Sequence, residues 1–157
     1  MSLNGSNNKT PLQNRDSQFI ITSSKNLFLK RLKEGIERMQ ISMDSIGKQG
    51  IQSTLLMGIS SYKRVLKRGI RIRLLTEMDD NKTIQKNIQK LKNNSLFEIR
   101  YLPYSIPINT MIGDRKEVNL NLTSPSNNTS FPSLWTNNAQ FAKIVTVYFE
   151  ELWMKSR

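Results

Sequence analysis

At 157 residues the chain has the length of one domain, and it contains no cysteine and no histidine. That excludes disulfides, thiolate chemistry, zinc sites of the ordinary kind and any histidine acting as base or nucleophile. The net charge is +12, and residues 1–100 hold 19 Lys and Arg against 8 Asp and Glu, whereas residues 101–157 hold 5 against 4.

Residues 1–17 are polar and rich in Asn and Ser, and read as a disordered tail; the domain is expected over 18–157. Ser23 or Ser24 caps a helix from Lys25 to Arg38, with Leu27, Leu29, Leu32, Ile36 and Met39 as its apolar stripe. Ile41, Met43 and Ile46 alternate with polar residues as a short strand, and Gly47 to Gly50 is a loop. A second helix is expected from Ser53 to Arg68, with Leu55, Leu56, Ile59, Tyr62, Val65 and Leu66 inward. Gly69 suits its C-terminal cap. Ile70, Ile72 and Leu74 then alternate with Arg71, Arg73 and Leu75 as a strand entered directly from the helix.

Asp79 or Asp80 is the expected cap of a third helix ending at Lys92, with Ile84, Ile88 and Leu91 as its stripe. Leu96 to Leu102 reads as a strand with Phe97, Ile99 and Tyr101 on one face, and Pro103 and Pro107 enclose a rigid loop. Ile108 to Ile112 and Val118 to Leu122 form a hairpin around Gly113-Asp114-Arg115-Lys116, followed by a polar loop from Ser124 to Ser133. Asn137 or Asn138 caps the last helix, whose expected core face is Phe141, Ile144, Val145, Tyr148, Phe149 and Leu152. The order α-β-α-β-α-β-β-β-α predicts an α/β fold of one mixed sheet flanked by helices.

No apolar run approaches the ~20 residues of a membrane span, and the N-terminus lacks an apolar signal core. A cytoplasmic location without a membrane partner is the default. There is no Walker-type loop and no Gly-x-Gly. Neighbouring carboxylates such as Asp79-Asp80 and Glu150-Glu151 do not converge on a helix face.

The run Val65-Leu66-Lys67-Arg68-Gly69-Ile70-Arg71-Ile72-Arg73-Leu74-Leu75-Thr76-Glu77 resembles a helix–Gly–strand unit of phospholipase D-like domains. Phe97 to Pro103 resembles the strand that follows. Asp114 to Val118 and Leu134 to Asn138 resemble the ending of archaeal regulators, namely the effector region of TrmB-type transcription regulators and the sensor modules of archaeal histidine kinases. The resemblance spans roughly residues 25–155 and implies a single phospholipase D-like domain. Active members carry His-x-Lys-x4-Asp followed by Gly-Ser or Gly-Thr, with the His as nucleophile and the Lys steadying phosphate charge. With Asp114 on the motif Asp, the His position falls on Pro107, the Lys position on Asn109 and the Gly-Ser position near Asn121-Leu122. The resemblance therefore implies the fold without the activity: no catalytic residue, no metal site and no cofactor.

The degenerate cleft so implied holds Asn109, Asp114, Asn121, Ser124, Trp135, Asn137 and Asn138, and would take a small-molecule effector or a protein partner. Each has a plainer reading. Asp114 makes a turn, Trp135 staples onto the core, and Asn137 and Asn138 cap a helix. The expected assembly is a homodimer, with DNA reached through an attached domain, since the first 24 residues are too short for a winged helix. The alternative is a nucleic-acid-binding module using Lys63, Arg64, Lys67, Arg68, Arg71 and Arg73 in the basic part of the chain. A solvated helix face or a charge-protected strand edge is the plainer reading of those residues.

Overall fold

The computed structural model describes residues 16–47, 58–78, 80–122 and 132–157. In chain order these form β1 (Phe19–Thr22), α1 (Lys25–Arg38), β2 (Ser42–Gly47), α2 (Gly58–Lys67), β3 (Arg71–Glu77), α3 (Lys82–Lys92), β4 (Phe97–Leu102), β5 (Asn109–Gly113), β6 (Glu117–Asn121), β7 (Ser133–Thr136) and α4 (Ala139–Lys155). Most of the expected tail, residues 48–57 with Leu55 and Leu56, Asp79, and the polar loop with Ser124 lie outside the described residues.

The seven strands make one sheet in the order β1-β7-β6-β5-β2-β3-β4. β2, β3 and β4 run parallel, β5 is antiparallel to β2, and β6, β7 and β1 continue antiparallel. The parallel half carries its helices as crossovers. α1, α2 and α3 bury Leu32, Ile36, Val65, Leu66, Ile84 and Ile88 against Met43, Ile72, Leu74, Phe97 and Ile99 on one face. On the other face α4 lays Ala142, Val145, Phe149 and Trp153 over Ile46, Leu75, Ile112 and Val118.

Local chemistry sets the helix ends. Ser24 Oγ accepts from Leu27 N at 3.3 Å and starts α1. Gly69 has φ +80°, where a side chain would be strained; its N–H reaches Leu66 O at 2.9 Å and Ile70 N reaches Val65 O, the paired bonds of a left-handed C-cap. The cap of α3 is Asn81, which corrects the expectation of Asp79 or Asp80: its Oδ1 accepts from Thr83 N and Ile84 N. Asn138 caps α4.

β1 and β7 are unforeseen, and they pair with each other from Phe19↔Thr136 to Thr22↔Ser133. α4 is rotated from its expected orientation: Ala142, Thr146 and Trp153 face inward, while Ile144 and Tyr148 face out. The outermost strand at the other edge, β4, exchanges two backbone bonds with the last residue: Tyr101 N donates to Arg157 O at 2.7 Å and Arg157 N to Tyr101 O at 3.2 Å.

Candidate functional site

The parallel strands fix two ends of the sheet. Asn109 opens β5 and Asn121 closes β6, and the two are cross-strand partners at the carboxyl end of β2 and β3. Both side chains lie on the α1 side, since they share the pleat of Met111 and Asn119. Asn109 Nδ2 approaches Asn121 Oδ1 at 3.5 Å, and Asn121 Nδ2 donates to Pro132 O at 3.2 Å. Ser124, expected beside them, lies outside the described residues.

Asp114 and Asn137 sit toward the opposite end, four to five strand residues or about 15 Å away, whereas Trp135 is in register with Asn119, two residues along the strand from Asn121. Asp114 and Arg115 form the β5–β6 turn with φ of 51° and 57°, the left-handed region. The Asp114 carboxylate accepts from three successive backbone N–H groups, Gln40 at 2.9 Å, Ile41 at 2.8 Å and Ser42 at 3.0 Å. It is thereby committed to joining α1 and β2 to the hairpin, the structural role its turn position implied. Asn137 Oδ1 accepts from Gln18 N at 2.8 Å and holds β1, while Asn138 is occupied as a cap.

Trp135 stands on β7 facing α1. Its indole N–H donates to Glu117 Oε1, which also takes Arg38 Nη2 at 2.6 Å; Arg31 lies 5.6 Å over its ring. Gly35 makes this approach possible, because a Cβ there would stand 2.9 Å from Glu117 Oε1. Arg31, Glu34, Arg38, Glu117, Trp135 and Asn137 line a cavity of 290 Å³. Asn119, 1% exposed, adjoins them across β6–β7, and among the described residues neither of its side-chain polar atoms has a hydrogen-bond partner. Thus, among the described residues, Asn109 and Asn121 share one end of the sheet, Asp114 and Asn137 lie toward the other, and Trp135 stands between them opposite Asn119.

A polar cluster that sequence reasoning missed lies beneath α4. Arg73, paired in register with Asp44, makes two bonds to its carboxylate at 2.7 and 2.8 Å. It makes two more to Glu150 at 2.7 and 3.1 Å, and its guanidinium lies 4.7 Å from the Phe149 ring and 5.2 Å from that of Trp153. Burial alone lowers the Arg73 pKa, but the hydrogen bonds and charges of Asp44 and Glu150 outweigh it and hold it above the ordinary arginine value. The signal was present: Asp44 is an isolated charge in a strand buried on both faces, a position that requires a buried cation nearby.

The basic residues divide likewise. Lys63, Arg64 and Lys67 are exposed on α2. Arg68 donates to the carbonyls of Ile36, Glu37 and Met39 and so caps α1. Arg71 points to the α4 side near Asp44, and Arg73 is buried, so neither joins the α2 surface. Among the described residues, no group of acidic side chains is placed to hold a metal ion, and no helix is long and apolar enough to cross a membrane.

No family profile and no curated protein matches the sequence. Solved structures do match it. An archaeal chromatin protein, TrmBL2, whose structure shows a novel mode of DNA binding, superposes with TM-score 0.72 at 16% identity. The match covers 88% of this chain and 53% of that one, so this chain spans about half of that relative. NucT from Helicobacter pylori gives 0.73 at 16%, covering 90% and 98%, and Nuc from Salmonella typhimurium, a phospholipase D family member, gives 0.65 at 12%, covering 90% and 97%. The seven-stranded mixed sheet with its flanking helices is the phospholipase D-like α/β fold.

Proposed function

We propose that this chain is a non-catalytic phospholipase D-like regulatory domain. It takes a small ligand or a protein partner in transcription regulation or, as a second parent system, in histidine-kinase signalling. The observation that carries the reading is the absence of histidine from all 157 residues, in a fold whose enzymes use a histidine nucleophile. The resemblance puts Pro107 and Asn109 where those enzymes hold His and Lys, and Asn109 stands beside Asn121 at the carboxyl edge of the sheet. Two carboxamides offer donors and acceptors without charge, which suits a neutral polar ligand better than a reacting phosphate. The cavity beside Trp135 and Asn137 is a second place for an effector on the same domain.

The assembly that fits this role is a homodimer formed through α4. Among the described residues three helices cover one face of the sheet and α4 the other, and α4 turns Ile144, Val147, Tyr148 and Met154 to solvent. A helix apolar on two sides has a second surface to bury.

The test is hydrolysis of bis(4-nitrophenyl) phosphate and of DNA by the purified chain, alongside a thermal-shift screen of small polar molecules. The expected result is no turnover, with at least one stabilising ligand whose effect is lost in Asn109→Ala or Trp135→Ala. Turnover that follows the protein through purification and falls in Asn109→Ala would sink this reading.

A further inference from the structure

We propose that the outer face of α2 and α3 binds the phosphate backbone of a nucleic-acid duplex without reading its sequence. Neither helix contains an acidic residue: their sequences are GISSYKRVLK and KTIQKNIQKLK. Lys63, Arg64 and Lys67 on α2 and Lys82, Lys86, Lys90 and Lys92 on α3 are all exposed. The two helices bury Val65 and Leu66, and Ile84 and Ile88, in the same core on the same side of the sheet, so their basic rows look outward together.

The arrangement works against the helices themselves. Lys82, Lys86 and Lys90 are four apart, one above another at about 6 Å intervals, a spacing at which like charges repel. Lys82 also opens the first turn of α3, where the helix dipole favours an acid. A regular polyanion laid along the row removes both penalties. Arg68, Arg71 and Arg73 take no part, since they are held by the α1 carbonyls or lie on the α4 side.

The rest of the surface selects the kind of polyanion. Among the described residues, no exposed large apolar side chain belongs to either helix. A membrane-binding helix would carry such anchors between its lysines. No exposed aromatic is there to stack an unpaired base, as single-strand binders require. Six of the seven cations are lysines, point charges on flexible stems that follow a phosphate field rather than fork onto a base edge. What fits is a duplex backbone held by charge. This inference does not depend on the ligand reading above.

The experiment is fluorescence anisotropy of the full chain with a labelled 30-base-pair DNA duplex, an RNA duplex of the same sequence and a DNA duplex of unrelated sequence, across a salt series. The expected result is binding that differs little between the two DNA sequences, with log K falling against log salt at a slope of about −4 to −6. Lys82→Gln/Lys86→Gln/Lys90→Gln should lower that slope by about 2 to 3 units, while Lys143→Gln/Lys155→Gln on α4 leaves it unchanged. Binding of either the DNA or the RNA duplex with this slope supports the proposal. Absence of binding at 50 mM salt overturns the proposal, as does an unaltered slope in the triple variant or an equal loss in the α4 variant. Stronger binding to phosphatidylserine vesicles or to single-stranded DNA also overturns it, in favour of a membrane or an unpaired strand.

Discussion

At the residue scale, Asp114 shows how a position aligned with a catalytic motif can join two elements through its hydrogen bonds. Its carboxylate gathers three consecutive backbone donors at the entry to β2, and its own N–H donates to Ser42 O at 2.9 Å. Charge-assisted bonds of this kind contribute more than neutral ones, and leaving their donors unpaired costs the desolvation as well. Asp114→Ala should therefore lower stability by about 2 kcal/mol in urea unfolding, whereas Arg115→Ala, at an exposed turn position, should change it far less. Glu150 adds a pH dependence. The hydrogen bond from Arg73 is the leading cause that pulls its carboxyl below the usual range; burial opposes it, and the charges of Arg73, Arg115 and Arg71 assist. A carboxyl depressed in the folded state stabilises above its unfolded pKa and loses that contribution as pH falls through the lowered value. The Tm gap between wild type and Glu150→Gln should be open at pH 7 and close progressively in acid below about pH 4. A gap that widens in acid would contradict the assignment.

At the element scale, helices were legible and short strands were not. α1 and α3 declare themselves by stripes three and four residues apart, and Gly69 marks the end of α2. β1 and β7 have four residues each, too few for a period, and β1 pairs with a strand more than a hundred residues away. Trp135 looked like a staple before a cap because nothing local reveals a strand there. α4 is apolar nearly all round, so its pattern admitted two orientations, and the inward one is set by Phe149 and Trp153 packing on Arg73. Asn81 lost to Asp79 and Asp80 in the sequence because Asn and Asp cap helices equally well; the geometry selects Asn81. Asn81→Ala should cost about 1 kcal/mol, read as a lower urea midpoint with an unchanged slope. Where along the sheet each candidate residue stands was not legible, because that position follows from strand direction and register.

At the scale of the whole molecule, the two sheet faces differ in chemistry as well as in cover. The face under α1, α2 and α3 ends in a basic surface, and the face under α4 ends in an apolar one close to neutral. Two copies meeting through α4 would leave both basic surfaces outward and keep their repulsion apart. Ile144→Asp/Tyr148→Asp should convert a dimer into a monomer by light scattering without lowering the urea midpoint, since both side chains are exposed in the isolated chain. Scattering that reports a monomer for the unmodified chain at tens of micromolar would remove the α4 interface.

The exchange of bonds between Tyr101 and Arg157 bears on how the sheet stops. β4 is a terminal strand whose outer backbone groups would otherwise offer a template to any extended peptide. Occupying that rim at Tyr101, with Glu98 and Arg100 charged alongside, blunts the template at the place where strand-by-strand growth could begin. The pairing with Arg157 thus shields part of that rim from addition of another strand, a consequence for association between chains rather than for folding.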